Sequence, residues 1–312
     1  MRADAPAARG TGGLVHDAVV RDAVGRRVRV PRRTHADPAV HPDPSGRDVG
    51  VPVVRPGTPP VDGWRAEDEA AADVAERAGR LLMDLAARTE PGPARGSEGD
   101  LLSHRLITGL IADRFPDDRV RSEEADQSAP LGPATGRVWI VDPLDGTREY
   151  SEGRDDWAVH VALAYDGNPV VGAVALPALD LVLGTGTPPP PAPAAGVPRL
   201  VVSRSRPPDL VPAMAERLGA VVVPMGSAGA KIAAVIRGQA EVYVHSGGQY
   251  EWDSAAPVAV ALACGLYARR LDGSPLRYAQ PDPWLPDLVV CHPDLAVAVR
   301  GALEASGVPG VD

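Results

Sequence analysis

The order of elements along the chain predicts a mixed fold, α+β in its first half and α/β in its second, arranged in layers. Three observations carry this prediction. Two helical stretches open the ordered part, strands of antiparallel type run from Val138 to Leu183, and after a proline-rich stretch strands and helices alternate to the end. With 312 residues and 44% apolar content the chain can build a large core, while 4% aromatics leave that core to Ala, Val and Leu.

Residues 1–61 are rich in Pro, Gly, Arg and Asp and hold only brief apolar pairs such as Val19-Val20 and Val53-Val54. Such a segment buries too little to offset its chain entropy, so it reads as a disordered Pro/Arg-rich extension. Order begins near Trp64, which makes 62–187 the first subdomain, of α+β type. From Glu67 to Ala87, Ala71, Val74, Ala78, Leu81, Leu82 and Leu85 recur at helical spacing, with acids early and arginines late as the helix dipole prefers. Pro91-Gly92-Pro93 breaks that helix. A second helix is predicted from Leu101 to about Phe115, with Asp100 at its start in the position of an N-cap. Glu123 and Glu124 then stand in a turn.

Val138-Trp-Ile-Val141 is a buried-strand signal that ends in two acids, Asp142 and Asp145. Pro143 cannot continue a ladder, so Asp142-Pro-Leu-Asp-Gly-Thr147 is predicted to leave the sheet as a tight turn. Trp157–Ala164 and Val170–Leu176 read as a hairpin about Asp166-Gly167, with a third strand at Leu179–Leu183 and His160 as a core histidine. The stretch 188–198 is a polyproline-like connector. Beyond it, 199–312 reads as an α/β subdomain: strands at Leu200–Val202, Ala220–Val223, Ala240–Val244 and from Leu288, with helices at Pro208–Leu218, Ala230–Arg237, Ser254–Cys264 and Asp294–Ala305.

A net charge of −9 and few rings for stacking on bases argue against extended nucleic acid as a partner. No apolar run approaches the roughly 18 residues of a membrane span, which argues against a membrane partner. Cys264 and Cys291 lie in apolar surroundings without metal-type spacing, which suits a reducing cytoplasm. Nearly all basic residues are arginine, and Lys231 is the only lysine.

Two carboxylates as close as Asp142 and Asp145 call for a shared proton or a hard divalent cation. Asp100, Glu123 and Asp253 fall in the same context, at strand ends or helix starts, beside a Gly-Thr turn and without a histidine or cysteine cluster. That donor set favours the cation, and suits Mg²⁺ or Mn²⁺ rather than zinc. The implied chemistry is metal-assisted phosphoryl hydrolysis. No Gly-x-x-x-x-Gly-Lys loop is present, which removes the P-loop NTPases.

Asp142-Pro-Leu-Asp-Gly-Thr147, the acidic loop Ser122-Glu-Glu124 and Trp252-Asp253-Ser-Ala-Ala-Pro257 occur in one order and with separations that resemble the inositol monophosphatase superfamily, from about Trp64 to the C-terminus. The resemblance implies a layered αβαβα sandwich, a homodimer and lithium-sensitive phosphatase activity on a small phosphorylated substrate. It implies two or three Mg²⁺ ions, for which Mn²⁺ can substitute, held by Glu123, Asp142, the Leu144 carbonyl, Asp145 and Asp253. Asp100 and Thr147, with Glu123, would then act on the attacking water, and Gly146, Thr147 and Asp253 would contact substrate. The loop Arg95-Gly-Ser-Glu-Gly-Asp100 departs from the Lys-Ser-Asp and Val-Thr-x-x-Asp pattern usual there, with Glu98 as the residue to compensate. Arg148-Glu149-Tyr150, Ser203-Arg-Ser-Arg206 and Gly226-Ser-Ala-Gly-Ala-Lys231 are most similar to the 3'(2'),5'-bisphosphate nucleotidase branch, which adds Arg206, Lys231 and His245 as substrate contacts. The branch implies hydrolysis of 3'-phosphoadenosine 5'-phosphate to AMP in sulfur assimilation, and also of its sulfated 5'-phosphosulfate form. Inositol phosphates and fructose 1,6-bisphosphate are the alternatives, and a non-catalytic nucleotide-binding regulator is the alternative of another class.

Overall fold

Val138 and Ile140 face one side of their strand and Trp139 and Val141 the other, and both pairs are buried in separate clusters. A strand apolar on both faces must lie between two layers. The computed structural model describes residues 19–21, 27–29, 63–125, 135–194 and 196–308. In the N-terminal unit, residues 1–53, it describes two short strands, β1 (Val19–Arg21) and β2 (Arg27–Arg29), paired antiparallel with Val20 opposite Val28. Regular structure was not expected there; a β-branched valine in each strand supplies the strand preference. The disorder expected for the rest of 1–61 lies outside the described residues.

The unit 54–312 holds the layers. Helices α1 (Arg65–Arg88) and α2 (Pro93–Arg114) come first, followed by strands β3 (Arg119–Ser122) and β4 (Arg137–Asp145). A five-residue helix α3 (Thr147–Ser151) precedes β5 (Ala158–Tyr165), β6 (Asn168–Leu176) and β7 (Leu181–Gly184). These strands form one sheet in the order β3-β4-β5-β6-β7, with β3 parallel to β4 and the other pairs antiparallel. After the prolines come β8 (Arg199–Ser203), α4 (Val211–Leu218), β9 (Val221–Met225), α5 (Ala228–Ile236) and β10 (Val242–Tyr250). The chain then runs through α6 (Ala255–Ala263), β11 (Tyr267–Arg269), β12 (Trp284–Cys291) and α7 (Ala296–Ala305). The second sheet has the order β11-β12-β10-β8-β9, parallel among β10, β8 and β9 and antiparallel at β12.

Three apolar clusters bind the layers. One joins α1 and α2 to the first sheet, a second places α5 and α6 between the sheets, and a third joins the second sheet to α4 and α7. The result is an αβαβα sandwich. Among the described residues no helix is long and apolar enough to cross a membrane. Cys264 and Cys291 are buried free thiols.

One helix differs from the sequence reading. The second helix starts at Pro93, not Leu101, with the proline in its first turn where no N–H is needed. Gly96 and Gly99, which suggest a loop, lie inside it at close approaches: a Cβ on Gly96 would lie 2.3 Å from Ser151 Oγ, and one on Gly99 3.1 Å from Tyr150. Asp100 is therefore an interior helix residue and not an N-cap.

Candidate active site

Strand β4 carries Asp142 and Asp145 to the rim of the first sheet. The tight turn expected there is a bulge instead, because the register against β5 shifts between Asp142↔His160 and Asp145↔Ala158. A bulge tolerates the missing N–H of Pro143 while pairing continues. Ser103 of α2 clamps it by donating to the Pro143 carbonyl at 2.7 Å, and Asp142 accepts the Leu144 N–H at 3.0 Å. Gly146, at φ 93°, then turns the chain in a conformation that favours glycine, and α3 begins at Thr147.

The other acids reach this point from separate elements. β3 runs parallel to β4, so the residue after it, Glu123, falls beside Asp142 and donates its N–H to the Val141 carbonyl at 3.2 Å. Asp100 comes from α2, with its Oδ1 3.4 Å from the Thr147 hydroxyl, which also lies 3.1 Å from the Leu144 carbonyl. Asp253 ends the short turn after β10 and accepts the Tyr250 N–H at 2.6 Å. A buried ion pair between Arg121 and Glu251 ties that turn to the end of β3.

Asp142, Asp145 and Asp253 bring carboxylate oxygens within 4.8 Å of one another. Burial, and after it Glu123 and Asp145, hold the Asp142 carboxyl well above the usual carboxylate range. Asp253 is pushed up to about 8 by burial and Asp145. Glu123 faces the open pocket, yet loss of solvation at its carboxyl, followed by the charge of Asp100, raises it to about 7. Asp100 is raised to about 7 by burial and Glu124.

Asp145 has a second set of partners. It accepts the Ala228 and Gly229 N–H groups at 3.2 and 2.6 Å, and the Ser227 hydroxyl at 2.5 Å. The N-terminus of α5 thus closes on the rim of the first sheet. His160, expected to be a core residue, is fully buried but not apolar in role: its Nε2 lies 3.3 Å from Asp145 and its Nδ1 3.1 Å from the Trp252 carbonyl. A carbonyl only accepts, so Nδ1 carries the proton. Burial lowers the pKa of the ring.

A cavity of about 580 Å³ opens over this cluster, and Gly146, Thr147, Arg206, Lys231, His245 and Asp253 all line it. Lys231 is buried at 4% exposure, donates to the Gly226 carbonyl at 3.1 Å and to that of Ser227, and lies over the Tyr243 ring. Burial lowers it to about 8. His245 is lowered by burial and feels the charges of Lys231 and Arg206, so the three share one electrostatic neighbourhood. Arg95 does not take up a place in the cavity wall; it donates to the Tyr150 carbonyl and stacks over that ring, and Glu98 is exposed and outside the lining.

The profile of the inositol monophosphatase family matches residues 68–187 and 197–303. The chain belongs to that family. A 3'-phosphoadenosine 5'-phosphate phosphatase of Mycobacterium leprae (strain TN) is 46% identical over 253 residues, 75% of this chain and 92% of that protein. Inositol monophosphatase II of Staphylococcus aureus MSSA476 superposes with a TM-score of 0.66 at 21% identity, over 77% of this chain and 94% of that one. CysQ of Bacteroides thetaiotaomicron, a bacterial member of the inositol monophosphatase family, superposes at 0.63 with 24% identity, over 73% and 98%. The fold is therefore the family's sandwich, and the chain is a hydrolase of a metal-dependent phosphatase family.

The donors fit that dependence on chemical grounds. They are all oxygen, and buried like charges this close stay ionised at neutral pH only beside a cation. Sequence reasoning missed His160, Ser227 and the Arg121–Glu251 pair. Ser227 alone had a signal, an N-cap serine whose Oγ accepts the Ala230 N–H at 2.9 Å.

Proposed function

We propose that this protein hydrolyses the 3'-phosphate of 3'-phosphoadenosine 5'-phosphate to AMP and phosphate, with the sulfated 5'-phosphosulfate form as a second substrate. The observation that carries this reading is the pairing, in one cavity, of an acidic cluster with Arg206, Lys231 and His245. A bisphosphate needs both: an acidic site that recruits metal at the scissile phosphate, and a cationic one for the phosphate that stays. The 46% identity to a relative of that name supports the same choice. Sulfur assimilation, in a reducing cytoplasm that suits two buried free thiols, is the setting this chemistry fits.

Asp142, Asp145, Asp253, Glu123 and the Leu144 carbonyl would hold Mg²⁺. When bound, the metal supplies Lewis acidity and lowers the pKa of coordinated water. Asp100 and Thr147 orient the attacking water, and Asp100, with a pKa of about 7, takes its proton near neutral pH. The water oxygen bonds to phosphorus as the bond from phosphorus to the 3' oxygen breaks, and the proton taken by Asp100 returns through solvent to that oxygen, which leaves as the ribose hydroxyl of AMP. The Gly146 and Thr147 amides hold the departing phosphate, while Lys231, Arg206 and His245 retain the 5' phosphate.

Phosphate release from a panel of the adenosine bisphosphate, inositol 1-phosphate and fructose 1,6-bisphosphate, with Mg²⁺ and with or without Li⁺, tests the reading. The expected outcome is preference for the adenosine bisphosphate and inhibition by Li⁺. Equal or better turnover of inositol 1-phosphate would overturn the substrate assignment. Asp145→Asn should reduce kcat at least about 100-fold; full activity in that variant would remove the metal assignment.

A further inference from the structure

Tyr250 and Trp284 are 45% and 47% exposed, the only aromatics among the large exposed apolar side chains of the described residues, and both line the cavity that holds the acids. In a chain with so few rings, two left in water at one pocket mouth need a reason. They are not loosely placed. Tyr250 and Trp284 pair directly across the β10–β12 ladder, with ring centroids 5.5 Å apart and planes at 82°. Trp252, buried beneath, stacks on Tyr250 at 4.7 Å and 13°. The Tyr250 N–H is held by the Asp253 carboxylate at 2.6 Å, so the aromatic corner and the acidic cluster share one turn.

The β10 strand is built to make room for this corner. Its register shifts between Ser246 and Gln249, and Gly247 and Gly248 take φ of 94° and 89°. A Cβ on Gly248 would sit 1.6 Å from Trp284 Cζ2, so the indole lies against bare backbone. The Gly248 carbonyl in turn lies 3.0 Å from His245 Nε2 and is fixed beside the cationic group.

Resting on the function proposed above, we propose that Tyr250 and Trp284 form a base-stacking subsite that selects a purine nucleotide over phosphates that lack a base. A planar base stacks on rings already held in place by the ladder, and an inositol or a bare sugar phosphate gains nothing there.

The test is binding of AMP and of ribose 5-phosphate to the full chain with Mg²⁺, by calorimetry and by tryptophan fluorescence, beside hydrolysis of the adenosine bisphosphate. AMP should bind at least about 10-fold more tightly than ribose 5-phosphate and quench fluorescence, as expected for stacking on one ring. Trp284→Ala should lower that preference about 10-fold and raise KM for the bisphosphate by a similar factor, with kcat within about 2-fold. Trp284→Phe should keep part of the preference and lose most of the quench, and Tyr250→Ala should weaken AMP alone. No preference for AMP in the parent protein, or an unchanged preference in both alanine variants, overturns the subsite. Base-dependent AMP binding without hydrolysis of the bisphosphate supports the subsite and sinks the hydrolytic reading, so the two failures are told apart.

Discussion

Asp100 and Thr147 bring a hydroxyl and a carboxyl within 3.4 Å of each other, and burial lifts that carboxyl to about 7. A group so poised can accept a proton at neutral pH without belonging to the Asp142, Asp145 and Asp253 trio that best fits a cation. Asp100→Asn keeps the shape and the acceptor for Thr147 but removes the proton acceptor. We expect kcat to fall by about 10²- to 10⁴-fold, with the Mg²⁺-induced rise in Tm retained. Steady-state kinetics and thermal unfolding measured on the same preparation separate these effects; loss of the Mg²⁺ shift would move Asp100 into the metal site. His160 illustrates the limit of reading single residues. In the sequence it is a histidine in an apolar strand, and only the approach of Trp252 and Asp145 from other elements gives its two ring nitrogens polar neighbours.

The elements that meet at the site include a close approach between the halves at Gly172. Gly172 of β6 faces α6, and a Cβ there would lie 2.5 Å from the Ala256 carbonyl oxygen and 2.8 Å from Ala259 Cβ. Gly172→Ala should therefore cost about 1–3 kcal/mol, read as a lower urea midpoint at unchanged slope. Because α6 follows directly from Asp253, the same variant should weaken Mg²⁺ binding; an unchanged midpoint would show that the helix yields freely. Helices and strands were legible wherever periodicity was strong, as in α1, β5, β6 and α7. Legibility failed where a residue has two physical uses. Gly96 and Gly99 signal loops in sequence but serve packing inside α2, and Pro143 signals a stop but occupies a bulge. The acids of the site were visible because like charges at strand ends are costly without a purpose. Tyr250 and Trp284 were not, since their pairing exists only in the β10–β12 register.

At the scale of the whole molecule, the sandwich concentrates unfavourable charge in one place and so couples stability to pH and metal. In the folded state Asp100 and Glu123 rise to about 7 and Asp253 to about 8, against ordinary values near 4 in the unfolded chain. Between these values the folded protein binds more protons than the unfolded one, so metal-free stability falls as pH rises through the window. His160 and His245, lowered from 6.5, oppose this slope at the acid end of the window, where the unfolded rings are still partly protonated, and their effect fades as pH rises. Lys231, lowered to about 8, acts in the opposite sense only near the top of the window. From pH 6.5 to 8 the four raised acids, Asp100, Glu123, Asp142 and Asp253, outweigh these bases and set the sign. The Tm of chelator-treated protein should decrease across that interval. Added Mg²⁺ competes with protons for the same carboxyls, so its stabilisation should be larger at pH 8 than at pH 6.5. Thermal unfolding at the two pH values, with chelator and with excess Mg²⁺, gives four midpoints. A metal-free Tm that rises with pH, or an equal Mg²⁺ shift at both values, would show that the acidic cluster does not store the charge repulsion that the cation relieves.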